Sequence, residues 1–152
     1  MTEPGRTDMR TADALRLQLV AFDGLAREQL TAIRKTVFVQ EQRVPAELEM
    51  DEYDPQAQHV LAYVDQLPVA TGRILSDGHI GRIAVLKAFR GQGVGASVVR
   101  FLMAYARQQA WPRVYLGSQL HAEAFYKALG FQRYGDVFMD AGIEHCWMEA
   151  KL

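Results

Sequence analysis

Cysteine occurs once in these 152 residues, at Cys146. An intrachain disulfide is therefore excluded, and a lone thiol is compatible with a reducing compartment. No apolar run reaches the ~18 residues that a membrane span needs, and the N-terminus has no signal-peptide core. A cytoplasmic protein without a membrane partner is the expectation. Charge of one sign is also missing: 17 Lys and Arg stand against 18 Asp and Glu, for a formal net charge of −1. That balance supplies no general basic field, so no nucleic-acid partner is expected. The four histidines, His59, His79, His121 and His145, have no ligand-like spacing, so no metal is expected either. Internal repeats and low-complexity linkers are absent.

What remains is an ordinary globular composition, 49% hydrophobic and 23% charged, with length enough for one domain and a real core. Residues 1–13 are polar, carry Pro4-Gly5 and read as a flexible tail; residues 14–152 read as a single domain. Leu15, Leu17 and Leu19 alternate as in a half-buried strand. Leu30, Ile33 and Val37 then share one helical face, with Arg27, Glu28, Arg34 and Lys35 opposite, which predicts a helix to about Gln40. Pro45 and the acidic run Glu47, Glu49, Asp51, Glu52, Asp54 predict a solvated loop. Three strands follow, around 60–64, 69–75 and 79–86, separated by turns at Asp65 to Pro68 and Ser76-Asp77-Gly78. Arg73 and Arg82 lie among apolar strand residues, where an unpaired charge is costly; pairing with the acidic loop is expected, with an acceptor carboxylate as the other partner. A long helix carries Val94, Val98, Leu102 and Ala106 on one face. Val114 to Leu116 form a short strand, Ala122, Phe125, Tyr126 and Leu129 a second helical face closed by Gly130, and 131–134 and 143–149 two last strands. The order predicts an α+β fold with a mixed, mostly antiparallel central sheet of about seven strands, flanked by helices.

The most informative stretch is Arg90-Gly91-Gln92-Gly93-Val94-Gly95-Ala96. It lies between the apolar Ile83-Ala84-Val85-Leu86 and the long helix, a strand, glycine loop and helix in succession. Glycines let the backbone approach a bulky ligand and adopt positive φ, while the helix start leaves N–H groups unpaired. With the positive end of the helix dipole and the Arg90 guanidinium, these form a phosphate cradle. On glycine spacing alone a structural turn is an even rival; the flanking strand and helix favour the cradle. A P-loop is excluded because no Gly-Lys-Ser/Thr follows. The dinucleotide fingerprint fits Gly91, Gly93 and Ala96, but it needs an acidic residue about 20 positions on, and no Asp or Glu occurs between Arg90 and His121.

With these elements placed, the chain resembles a GNAT-superfamily N-acetyltransferase. Arg90-Gly91-Gln92-Gly93-Val94-Gly95 matches that superfamily's pyrophosphate-binding pattern, Ile83-Ala84-Val85 its acetyl-CoA strand, and Phe125-Tyr126-Lys127-Ala128-Leu129-Gly130-Phe131 its later helix-to-strand signature. A narrower similarity is to the ElaA/YjcF-like subgroup. It rests on Val37-Phe38-Val39-Gln40-Glu41-Gln42, Asp51-Glu52-Tyr53-Asp54, Gly81-Arg82-Ile83-Ala84-Val85 and Gly142-Ile143-Glu144-His145. Together the matches span roughly Leu15 to Leu152.

The resemblance implies an acetyltransferase with acetyl-CoA as co-substrate, no metal, and a small-molecule or peptide amine as acceptor. It implies that Arg90, Gly91, Gln92, Gly93, Val94, Gly95 and Ala96 hold the coenzyme's diphosphate, and that backbone N–H groups of Ile83, Ala84 and Val85 face the thioester. Gln119 is a further candidate for contact with cofactor or acceptor. Tyr126 stands where such enzymes carry a tyrosine facing the CoA sulfur, its other reading being a core aromatic beside Phe125. Glu41 is the candidate base, against a solvated surface carboxylate. His145 reads as a strand histidine or an acceptor-site residue, and Cys146 as a small core residue on the opposite face. A homodimer is also an expectation of the family. The rival class is a non-catalytic module that senses acyl-CoA.

Overall fold

The computed structural model describes residues 14–152; the segment 1–13, read above as a tail, lies outside the described residues. Seven strands form: β1 (Leu15–Val20), β2 (Gln58–Val64), β3 (Leu67–Ile74), β4 (Ile80–Val85), β5 (Arg113–Gln119), β6 (Gln132–Asp140) and β7 (Ile143–Lys151). They fall into two antiparallel sheets, ordered β1-β2-β3-β4 and β5-β7-β6. The fold is thus mixed α+β with seven strands, as the pattern predicts, but the sheet is divided. A lone parallel bridge, His79 to Tyr115, joins the halves. Beyond it β4 and β5 diverge like the arms of a fork.

Two helical layers fix that fork. The apolar stripe Val94, Val98, Leu102 and Ala106 forms α3 (Val94–Gln108) and is 0–3% exposed against Val60, Ala62, Val69, Val114, Leu116 and Met148. One helix therefore packs on strands of both sheets and holds them at a fixed angle. Burying each such side chain contributes about 1.5–3 kcal/mol, so this layer carries much of the stability. Gly72 makes the close approach possible, since a Cβ there would stand 2.7 Å from Ile83 Cδ1 and 2.9 Å from Val98 Cγ1.

The other face of the first sheet is covered by α1 (Gly24–Arg34), through Leu30, Ile33 and the following Val37 on Leu61 and Ala84. The expected single helix to Gln40 changes character at Lys35. Residues Lys35–Glu41 widen into π-helical turns, in which Gln42 N–H reaches Val37 O at 3.1 Å. Such widening is rare and frequent at functional sites.

Arg34 corrects the expected polar face, being only 1% exposed. The acidic run is corrected with it. Glu49, at the end of the short α2 (Ala46–Glu49), and Asp54 are 4% and 1% exposed, because they neutralise Arg34. The last strands also run further than predicted. β6 continues to Asp140 across an irregularity between Tyr134 and Phe138. The closing helix α4 (Glu123–Ala128) ends as predicted: Gly130 takes φ 98°, and Phe131 N–H returns to Tyr126 O at 3.1 Å. None of the described helices is long and apolar enough to cross a membrane.

Candidate active site

The fork is made by one extra residue in β4. Thr71 pairs with Ala84 and Arg73 with Gly81, so the single residue Gly72 lies opposite both Arg82 and Ile83. This is a β-bulge, with Arg82 at φ 52°. It puts Ile80, Ile83 and Val85 together against the α3 layer, despite their unequal spacing, and Ala84 against the α1 layer. Strand β4 accordingly turns away from β5 after His79. A cavity of about 480 Å³ opens between the arms, bounded by Gly81 to Ile83 on one side and Leu116 to Gln119 on the other.

The cavity has two ends of different chemistry. On the α3 side it reaches Tyr126, from α4, and His121 in the turn Leu120–Ala122. Tyr126 packs edge-on against Phe125 and Phe131, at centroid distances of 4.9 and 5.7 Å. Burial pushes its phenol up to about 12, so it is fully protonated at neutral pH. On the α1 side the walls are Phe38 and Gln42 from the widened helix, Glu49 of α2, and Phe138, His145 and Trp147 of the second sheet. Phe138 stacks on Trp147 at 4.5 Å and on His145 at 5.5 Å, building an aromatic floor. Gln119 donates to Gln42 Oε1 at 3.2 Å and so ties the end of β5 to the widened helix.

An ionic network fixes the α1-side wall. Arg34 donates to Glu49, and to both Asp54 oxygens at 2.7 and 3.0 Å. Arg73 holds Asp51 at 2.7 and 2.8 Å and Asp54 at 2.8 Å. Arg82 donates to Glu49 O at 3.0 Å and to Asp51 at 3.1 Å. The expected pairing of Arg73 and Arg82 with the acidic segment is therefore present. Burial alone would raise the Asp54 carboxyl, but the hydrogen bond and charge of Arg34, with help from Asp51 N–H and Arg73, hold it down at about 2. The network pins the segment 49–54 across β3 and β4.

Ahead of α3, Gly91 and Gly93 take φ 78° and 83°, and no side chain caps the helix start. A Cβ at either glycine would meet nothing within 4 Å. Their role is conformational, and the space outside the loop is open to a ligand. Gly95 lies 3.6 Å, by the same measure, from Phe125 and Val85, and Val94 is buried. Gln92 Nε2 donates to Ala88 O at 3.3 Å, and Ala96 is half-buried in the first turn. Arg90 lies beside the loop, its Nε on Val85 O at 2.8 Å and its terminal nitrogens on Glu41 at 2.8 and 3.0 Å.

Of the sequence candidates, Ile83, Gln119 and Tyr126 meet at the cavity, and the loop 90–96 lies at the start of the helix behind it. Ala84 and Val85 follow Ile83 outside the lining. Glu41 is not among the residues lining the cavity, and its carboxylate is engaged by Arg90 at 2.8 Å. Not singled out as site residues by the sequence reading were Phe38, Gln42, Glu49, Phe138 and Trp147, although Phe38 and Gln42 lie in the quoted segment Val37 to Gln42 and Glu49 in the acidic run. The paired spacing Phe138, Asp140 and Ile143, His145 around a turn was the available signal for part of them. Cys146 is fully buried in the main core. Among the described residues no group of His, Cys, Asp or Glu is arranged to hold a metal ion.

The divided sheet, glycine loop and fork match a known family. Residues 22–152 fit the acetyltransferase (GNAT) domain. YjcF of Bacillus subtilis, an N-acetyltransferase by name, is 38% identical over 120 residues, which span 76% of this chain and 86% of that protein. ElaA of Escherichia coli is 33% identical over 132 residues, 81% of this chain and 86% of ElaA, and its crystal structure superposes with TM-score 0.78 over 90% of this chain and 99% of that one. An acyl-CoA N-acyltransferase from Pseudomonas aeruginosa superposes with the same TM-score at 31% identity, covering 90% of this chain and 99% of that one. The chain belongs to the GNAT acetyltransferase family, in company with ElaA and YjcF.

Proposed function

We propose that this acetyltransferase moves the acetyl group of acetyl-CoA directly to a primary amine of a small molecule or peptide, with no covalent enzyme intermediate. The observation that carries the reading is the cavity through the fork, with a protonated phenol at one end and an aromatic, charge-fixed wall at the other. Two substrates entering from opposite faces can meet there directly. The only cysteine is buried in the core and its thiol is pushed up by burial, which argues against a thioester on the protein.

Each chain segment then has a task. The uncapped N–H groups at the start of α3, with Arg90 beside them, suit a diphosphate. Within Ile83 to Val85, the backbone N–H groups that face the fork, on the edge of β4 not paired with β3, suit the oxygen that becomes negative during attack. Tyr126 supplies a proton to the departing thiolate. The test is release of free CoA thiol from acetyl-CoA against a panel of polyamines, amino acids, amino sugars and peptides. Turnover with at least one amine is expected. Coenzyme binding without thiol release for any amine would favour a non-catalytic acyl-CoA sensor.

A further inference from the structure

We infer that His145 is the general base that deprotonates the acceptor amine, an assignment that rests on the amine-acetylating reading above. His145 is 8% exposed and lines the cavity, while the next residue, Cys146, faces the core. Its Nδ1 lies 2.7 Å from Ile143 O. A carbonyl oxygen only accepts, so Nδ1 carries a proton and Nε2 is the ring nitrogen left to take one up. The ring is held flat against Phe138 at 5.5 Å. In the β5–β7 register His145 is the direct partner of Gln119, at the open end of the fork. An imidazole whose Nδ1 is committed to a backbone carbonyl is thereby held with its ring in the cavity wall.

The other ionisable groups facing the cavity are Glu49, His79, Arg82, His121, Tyr126 and Asp140. Glu49 is bound to Arg34. The His79 ring stacks on Tyr115 at 4.7 Å, at the closed end of the fork. His121 and Asp140 are exposed, and Arg82 and Tyr126 are proton donors at neutral pH. His145 alone combines burial, an Nδ1 committed to a backbone carbonyl and a place at the open end. In the reaction an ammonium gives one proton to His145 Nε2, and the freed lone pair forms the C–N bond. As the C–S bond breaks, the sulfur gains a proton from Tyr126, and the second proton leaving the nitrogen restores the Tyr126 phenol. The proton on His145 passes to solvent, so the products are an amide, CoA thiol and one released proton.

His145→Asn is the decisive variant, because its amide can still donate to Ile143 O while offering no base. Thiol release is followed with spermidine, glucosamine, lysine and a tripeptide with a free N-terminus, and acetyl-CoA affinity serves as the control for folding. The inference expects kcat/KM for the amine to fall about 100-fold or more, with acetyl-CoA affinity kept within about 3-fold. It expects the acid limb of the wild-type pH profile to disappear in the variant. It also expects free imidazole to restore part of the rate to His145→Ala. A loss below about 3-fold, or an acid limb that persists in His145→Asn, overturns the assignment while leaving amine acetylation intact. Acetyl-CoA binding by the wild type without thiol release for any of the four amines overturns both.

Discussion

Arg90 and Glu41, 49 residues apart in sequence, form a two-pronged ion pair at 2.8 and 3.0 Å beside the glycine loop. Both side chains are substantially exposed, so the pair adds at most about 1 kcal/mol to stability. Its consequence is positional: a guanidinium is held ready where the coenzyme's diphosphate is proposed to lie. Arg90→Ala is expected to weaken acetyl-CoA binding about 10-fold or more, the worth of a charged hydrogen bond, with kcat at saturation little changed. Glu41→Gln is expected to retain turnover within about 3-fold. A loss of about 100-fold in steady-state kinetics of Glu41→Gln would instead return Glu41 to the role of base.

The buried pair between Arg34 and its two carboxylates has the opposite economy. Arg34, Glu49 and Asp54 are all nearly inaccessible, so removing the cation leaves Asp54 with Arg73 and Glu49 with the more distant Arg82, at 3.5 Å. Arg34→Met is expected to cost about 3 kcal/mol or more, which for a chain of this size lowers the thermal midpoint by roughly 6 °C or more. A thermal melt of the variant within about 2 °C of the parent would show that the network is solvated and stabilises little.

Acid should weaken the protein in two stages. Burial lowers His59 and His79, so the unfolded chain takes up protons below about 6.5 while the folded chain resists, and stability starts to decline there. Asp54 is held down at about 2, and Asp51 is lowered by Arg73 and Arg82 against its own burial. Their contribution is complete above the ordinary carboxyl value of about 4 and is lost as pH falls toward about 2. Denaturant midpoints measured from pH 8 to pH 3 should therefore show a shallow decline and then a steep one. In His59→Gln the upper stage should shrink; an unchanged profile in that variant would remove His59 from the account.

Apolar periodicity made most of the fold legible. Val94, Val98, Leu102 and Ala106, like Leu30, Ile33 and Val37, are buried as their spacing demands, and Gly130 and the glycine loop announced their backbone needs. Arg34 was misread because the charge that makes it look solvent-facing is cancelled by residues 15 and 20 positions away. No local pattern reports that. The bulge at Arg82 and the π-helical turns at 35–41 were equally silent, since each depends on what packs against the segment and not on its composition. The sequence reading ended β6 at Tyr134, although the edge strand continues to Asp140 across an irregularity between Tyr134 and Phe138. The same reasoning explains the site. Loop and Tyr126 lie in compact motifs, whereas Phe38, Gln42, Glu49 and Phe138 become neighbours only when the fork exists.

Tyr126 offers a sharper test of chemistry than the loop does. Its hydroxyl is the only part removed in Tyr126→Phe, and the ring contacts with Phe125 and Phe131 stay available. Turnover should fall at least about 10-fold with acetyl-CoA affinity nearly unchanged. An unaltered rate would exclude the phenol as the proton donor.

The account as a whole rests on the loop from Arg90 to Ala96 receiving the coenzyme's diphosphate with its thioester directed into the fork. Equilibrium dialysis of the purified protein with acetyl-CoA measures this most directly. Saturable binding, one coenzyme per chain and weakened by Arg90→Ala, is the predicted result; a protein that retains neither acetyl-CoA nor CoA at millimolar concentration would contradict it.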